Sequence, residues 1–509
     1  MNGLIWKDGS HLGDTVKEVE NNLQIVLRGY LLEYDFVQLD TFIKPENEHH
    51  KWRAVSALQK AIRRGDVTTA LRMANALHGL DWTYIWRRMA IIALEDIGVA
   101  DIELVAATVW VCGKGGWRMK NGGCIEYLYM LVDRMCRSVK DRSVCDLVCW
   151  ADWGPDLADF RKTVFGLPCN FGPEKITNSD MYLAHRMLHA WAMCGTKAAR
   201  AENIPEGHGG SFALFMAMLQ NSHMQMPAAV EMICTLGISK TGDAMPIAYP
   251  FVYEMARSGV KQPNLPPPIG AFNLAWEADD LTDLPMLGNY PSEAFDQHCR
   301  EGRKAIKYFV KSCIAIRQFT TGACGIPIED KDRFHLPASI LVFRAEGSLV
   351  DKRLVFPGSK DLFDIAEMAL NTSQGVPGKF NDYGMRLVRA NLASLHYARK
   401  LVLDMLPQGQ NVKPPDAVYV FTDDILSLQD GTATFDGAGP LMGMVTAVQR
   451  KKADFSTVGA SPEASASFIA GGMTAYGPQF LAEQDVPEPP AAAAPVPPKK
   501  KLVIKKKAP

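Results

Sequence analysis

Nucleotide hydrolysis needs a phosphate-cradling loop, Gly-x-x-x-x-Gly-Lys-Ser/Thr, whose lysine and hydroxyl serve phosphate and magnesium. The two Gly-Lys pairs of this chain, Gly113-Lys114 and Gly378-Lys379, are followed by Gly115 and Phe380 and do not meet it. The apolar run from Met89 to Asp96 has a helical period, so its closing acids do not read as the magnesium-binding end of a strand. His185 and His189 stand four apart on an expected helix, a spacing that can share a metal, but Arg186 replaces the glutamate of a zinc-protease motif. They read as a partly buried helix face. Cys145 and Cys149 share that spacing among apolar and aromatic neighbours and read as core packing. Gly207-His-Gly-Gly-Ser211 reads as a connector. No paired carboxylates and no Ser/His/Asp set assemble by spacing, so no catalytic residue, metal or cofactor is expected. One stretch keeps an enzyme reading open: Glu293, Asp296, His298, Arg300, Glu301 and Arg303 crowd one expected helix. It reads as a solvated face, with an unidentified active site in residues 200–405 as the alternative.

Charge is the other chemical resource. The chain has 509 residues and a net charge of −1, but six lysines fall in its last eleven residues, which leaves the body at −7. Lys499, Lys500, Lys501, Lys505, Lys506 and Lys507 follow a Pro/Ala-rich spacer and surround Leu502-Val-Ile504. Such an arm suits polyanion phosphates through counterion release, or an acidic protein. Within the body, residues 51–120 carry eleven Lys/Arg against six Asp/Glu, a second basic patch. Eleven cysteines without a Cys-x-x-Cys pair indicate a reducing compartment. No signal peptide and no transmembrane run are read, so a cytoplasmic location without membrane contact is expected.

The elements that must position these groups are mostly helical. Apolar spacing predicts one helix or two short ones over 14–40, then a run of short helices from Lys51 to Val109 separated by Gly65-Asp66, Gly79 with Asp81, and Gly98 with Asp101. Further helices are expected over 124–140, 143–151, 179–195, 211–220, 227–237, 291–317, 360–371 and 382–405, with a Pro/Gly-rich loop at 154–173. Ile340-Leu-Val-Phe and Leu354-Val-Phe around Gly347-Ser348 suggest a small β-hairpin, and Val418-Tyr-Val-Phe a strand. Prolines at 263–268 suggest a domain boundary. The expected division is 1–45, an N-terminal helical segment; 46–195, a helical array; 196–265, an extension and linker; 266–430, a second α-rich domain; and 431–509, low complexity.

The stretch from Glu48 to Asp101 carries a resemblance. It reads His49-His-Lys-Trp-Arg-Ala-Val-Ser-Ala-Leu-Gln-Lys60, then Ile62-Arg-Arg-Gly-Asp66, Tyr84-Ile85, Arg87-Arg88-Met89, and Glu95-Asp-Ile-Gly98 with Ala100-Asp101. This resembles the C-terminal helical domain of the replication-associated recombination protein A family (RarA, also MgsA), AAA+ proteins acting at stalled replication forks. The likeness covers some 55 residues well and 48–195 loosely. Its motif positions here are Gly65, Asp66, Tyr84, Glu95, Asp96, Gly98 and Asp101. The family places an ATPase core before this domain. Here about 45 residues precede it, so the nucleotide site is expected to be absent. The resemblance implies a collar-like module that oligomerises and associates with replication proteins. Glu95 and Asp96 are expected to pair with Arg63, Arg64, Arg87 or Arg88 or to cap the next helix, and the four arginines alternatively to face DNA or a partner.

The fold expected is mainly α, a clamp-loader-like multi-helix array with a second α-rich domain, a small β-hairpin and a disordered tail. The function expected is that of a non-enzymatic homo-oligomeric accessory protein of DNA replication or recombination, suited to a phage or mobile element. It would bind DNA or replication proteins through the tail and the basic patch. A structural or virion-associated protein is a third reading.

Overall fold

The protein is described by a computed structural model over residues 9–35, 49–120, 124–167, 173–195, 212–222, 224, 226–259, 285–347, 350 and 352–405. It is mainly α-helical. The first group of helices is α1 (Val16–Leu32), α2 (His49–Arg64), α3 (Val67–Leu80), α4 (Trp82–Ile92), α5 (Ile102–Gly113), α6 (Gly115–Lys120) and α7 (Cys124–Arg137). Then come α8 (Ser143–Trp153), α9 (Ala158–Phe165), α10 (Pro173–Ile176), α11 (Leu183–Cys194), α12 (Phe212–Gln220), α13 (Ala228–Thr241) and α14 (Met245–Ser258). The last group is α15 (Arg300–Ser312), α16 (Ile314–Gln318), α17 (Leu336–Val342), α18 (Ser359–Ser373), α19 (Asn381–Ala390) and α20 (Leu392–Met405).

The punctuation from α2 to α5 is local chemistry. Asp66, Asp81 and Asp101 each stand before a helix and accept from its first backbone N–H groups, at 3.0 Å from Thr69, 2.9 Å from Tyr84 and 3.0 Å from Leu104. Each such cap stabilises its helix by about 1 kcal/mol. Gly65 ends α2 with a φ of 72°, in the left-handed region. Because α5 is apolar all round, it is buried from Ile102 to Val111 and serves as a central post.

Among the described residues three helices, α4, α16 and α17, widen at their C-terminal ends into a π turn, Ala93–Ile97 after α4, Phe319–Ala323 after α16 and Phe343–Gly347 after α17. In the first, the Gly98 amide reaches the Ala93 carbonyl at 2.9 Å. Gly98 has φ 52°, and a Cβ there would lie 2.6 Å from the Asp141 carbonyl oxygen, so glycine is required twice over.

Two apolar clusters fill the interior. The larger joins α1–α5, α7, α8, α11, α13 and α14 to Tyr290–Cys299 and part of α18. The smaller joins Cys145, Cys149 and Trp153 of α8 to α15–α20. Helix α8 therefore has one face in each, and α18 packs along it.

Several expectations change. The apolar run 340–343 is helix α17 opening into its π turn, not a strand, because it is enclosed on all sides. The two-stranded hairpin lies instead at Met286–Leu287 and Tyr290–Pro291, turning on Gly288 and Asn289. The loop expected at 154–173 contains α9, and 291–317 begins with a 3-10 turn at Ser292–Ala294 before α15. Helix α14 escapes sequence reading because Pro246 and Pro250 interrupt the signal. An interior proline costs a helix about 3 kcal/mol, which burial of Ile247, Tyr249, Phe251, Val252 and Tyr253 offsets. The 382–405 helix is two, α19 and α20. The strand at 418–421, the prolines at 263–268, the low-complexity end and the terminal lysines lie outside the described residues.

Candidate functional site: a buried charge zipper on α2

Helix α2 presents Arg53, Ser56, Lys60, Arg63 and Arg64 at spacings of three and four, which places them along one face. That face points inward. The residues 293–301, expected as a solvated face, lie against it. Glu293, Asp296 and Glu301 are 0 %, 1 % and 5 % exposed. Arg53 pairs with Glu301 at 3.0 Å, Lys60 with Asp296 at 2.5 Å, and Arg64 with Glu293. Ser56 donates to Asp296 at 3.0 Å. The backbone that carries Asp296 sits directly on α15, because Gly302 has no side chain. A Cβ there would stand 2.0 Å from the Asp296 carbonyl oxygen.

Further along α2, Arg63 reaches three groups at once. Its Nε donates to Asp96 at 2.6 Å, one terminal nitrogen to Glu95 at 2.7 Å, and the other to the Gly347 carbonyl at 2.7 Å. Arg142 completes the cluster with Glu95 at 3.4 Å and a closer contact to Asp96, and Gln59 donates to Asp96 at 2.8 Å. Burial opposes ionisation of Glu95, but the guanidinium groups of Arg63 and Arg142 outweigh it and hold its carboxyl at about 2. The π turn after α17 has a matching clamp. Arg399 of α20 holds Glu346 by two parallel bonds of 2.9 and 2.7 Å, and His396 stands 3.4 Å away. Arg344 pairs with Glu367, and Arg353 with Asp146 at 2.8 Å.

A cavity of about 40 Å³ lies beside this zipper. Its floor is Gln59, Lys60, Glu95 and Asp296, and half-exposed Trp52, Arg88 and His298 stand at its mouth. His298 Nδ1 is 3.1 Å from Asp296, which fixes the ring. At roughly 10–15 Å³ per water, the space holds about three waters. Ligand pockets run to roughly 300–1,000 Å³.

The arginines expected to face DNA have internal work. Arg63 is 2 % exposed, and Arg64 also reaches the Glu346 carbonyl at 3.3 Å. Arg87 donates to the Thr241 carbonyl at 2.9 Å and Arg88 to Gln59. Of the two readings open for Glu95 and Asp96, pairing with Arg63 is the one observed. Tyr84 is half-buried, edge-on to Trp52 at 6.1 Å, with the Lys51 ammonium 3.9 Å over its ring. His185 and His189 pack on Phe160, and Cys145 and Cys149 lie in the second apolar cluster. The sequence reading missed Arg142, Glu346, Glu367 and Arg399. A faint signal existed for Glu346, an acid before a glycine after an apolar run, as in Glu95-Asp-Ile-Gly98. Lys499–Lys501 and Lys505–Lys507 lie outside the described residues.

Comparison of the chain with family models, with curated proteins and with solved structures gives no match in any of the three. Among the described residues, no helix is long and apolar enough to cross a membrane.

Proposed function

We propose that the chain is a non-enzymatic, oligomeric accessory protein of DNA replication or recombination, built on a RarA-like helical module without the family's nucleotide site. What supports the likeness is the work done by the positions that carry it. Asp66 and Asp101 cap α3 and α5, Gly65 and Gly98 adopt positive φ, and Glu95 and Asp96 bind Arg63. These are the duties a shared helical design would preserve. The carrying observation for the DNA contact is the run of six lysines between Lys499 and Lys507, because Arg63 and Arg64 are engaged in internal ion pairs. That engagement leaves the terminal lysines as the first candidates for phosphate.

The test is a salt titration of DNA binding with full-length protein and with a chain ending at 498. Six phosphate contacts give a log–log slope of about −5 on duplex DNA, so the truncation should flatten the slope by about that much and weaken all sequences alike. Equal binding by the two proteins across the titration sinks this reading of the tail and favours an acidic protein partner.

A further inference from the structure

The buried zipper separates the charges of the 293–303 stretch into two populations. Its acids turn inward to α2, and its cations stay outside. Along α15, Arg300, Lys304 and Lys311 are exposed, and Arg303 and Lys307 are half-buried. At 100° per residue, these five fall within an arc of about 100°. Glu301, the acid of this helix, lies off the arc, 5 % exposed and paired with Arg53. Among the described residues, none of the five cations has a carboxylate within ion-pair distance. Arg303 donates to the Gln297 carbonyl at 3.0 Å, and the Lys311 ammonium lies 5.1 Å over Phe334. Asp330 is one acid of this region: with Lys307 and Arg303 it influences His335. Exposed Arg317 continues the basic surface beyond α15 and donates to the Lys311 carbonyl at 3.3 Å.

We propose that this stripe on α15 is a second DNA contact, one that tracks the phosphate backbone. From Arg300 to Lys311 the stripe is about 16 Å long at 1.5 Å per residue, which matches about five base-pair steps along a duplex axis at 3.4 Å each. No other residue of α15 falls within the arc, and half-buried Tyr308 lies beside it, whereas a protein interface of any strength needs buried aromatic or aliphatic anchors. A row of cations without acids or anchors matches a uniform polyanion and reads no sequence. The proposal rests on the DNA reading above and adds a site in the folded body to the one in the tail.

Its experiment uses the chain ending at 498, so that the terminal lysines are silent, with full-length protein alongside. Four phosphate contacts by Arg300, Lys304, Lys307 and Lys311 give a slope of about −4 on duplex DNA. Replacing those four by glutamine should remove that slope and weaken binding at low salt by more than tenfold. Replacing the three lysines by arginine should keep both. The urea midpoint of the glutamine variant should match its parent, because these side chains hold no ion pair among the described residues. If the tail-deleted chain and its glutamine variant bind DNA with the same slope, the α15 proposal fails and the tail reading stands. If full-length protein binds no duplex at low salt, both fail together.

Discussion

Arg63 donates to the carbonyl oxygen of Gly347 at 2.7 Å, a bond between positions 284 apart in sequence. The same guanidinium grips Glu95 and Asp96 in the first π turn. One side chain thus ties the end of α4 to the end of α17, and the two ends cannot separate without exposing it. A buried ion pair contributes little net stability, because desolvation cancels most of the attraction. What it does enforce is register, since any other docking of α2 would strand charges away from water.

Removing one member of this cluster should therefore cost far more than the cluster contributes. Arg63→Met leaves Asp96 and Glu95 enclosed with Arg142 as their one ion-pair partner among the described residues, and should destabilise by about 3–5 kcal/mol. Arg87→Gln loses a bond to a backbone carbonyl at a half-exposed site and should cost about 1 kcal/mol. Urea unfolding followed by circular dichroism ranks the two; equal midpoints would refute the argument.

Gly302 makes a steric prediction. Gly302→Ala places a methyl group into the Phe295–Asp296 backbone, which cannot yield as a flexible side chain would. The shift should pull Asp296 from Lys60 and Ser56 and lower the thermal midpoint. Gly322→Ala, with open space at its Cβ, should leave the midpoint unchanged or raise it slightly.

Stability should depend on pH with opposite signs on its two flanks. Glu95 and Glu346 are held at about 2 against an ordinary 4.5, burial being outweighed by Arg63 and Arg142 for the first and by Arg399 and His396 for the second. Their stabilisation is present above pH 4.5 and lost as pH falls towards 2. For Glu367, burial outweighs Arg344 and Asp146 adds to it, pushing the carboxyl up to about 7. Its contribution is full below its ordinary 4.5 and lost as pH rises through about 7. Glu367→Gln should flatten the decline in urea midpoint from about pH 5 to about pH 8. An unchanged decline would mean that Glu367 is ionised in the fold throughout that range.

Self-association, if it uses the α2–α7 array, has Trp82 as its most exposed tryptophan, with Trp52 half-exposed. Trp86 and Trp110 are 2 % exposed and Trp117 is half-buried against both Trp110 and Tyr127, so these three rings are largely used within the chain. Trp82 is 50 % exposed. Trp82→Ala should shift light-scattering mass towards monomer without changing the fold, while Trp86→Ala should cost about 3–5 kcal/mol of stability. A full-length protein that is already monomeric at tens of micromolar removes the oligomer from the proposal.

What the sequence determined alone is what neighbours in the chain decide. The helices from α2 to α5 were legible because their caps, stops and apolar periods act over three to five residues. Aspartate before a helix satisfies orphan N–H groups wherever the helix later packs. Tertiary structure decided where each charge went. The acids of 293–301 and the basic face of α2 have equal claims to water in a one-dimensional reading, and only docking shows that Glu293, Asp296 and Glu301 meet Arg64, Lys60 and Arg53. The run Ile340-Leu-Val-Phe is likewise apolar without a period, compatible with a strand or with an enclosed helix. Its surroundings chose the helix. Glu346 then stands where Arg399 can reach it, a partnership 53 positions apart that no local pattern encodes.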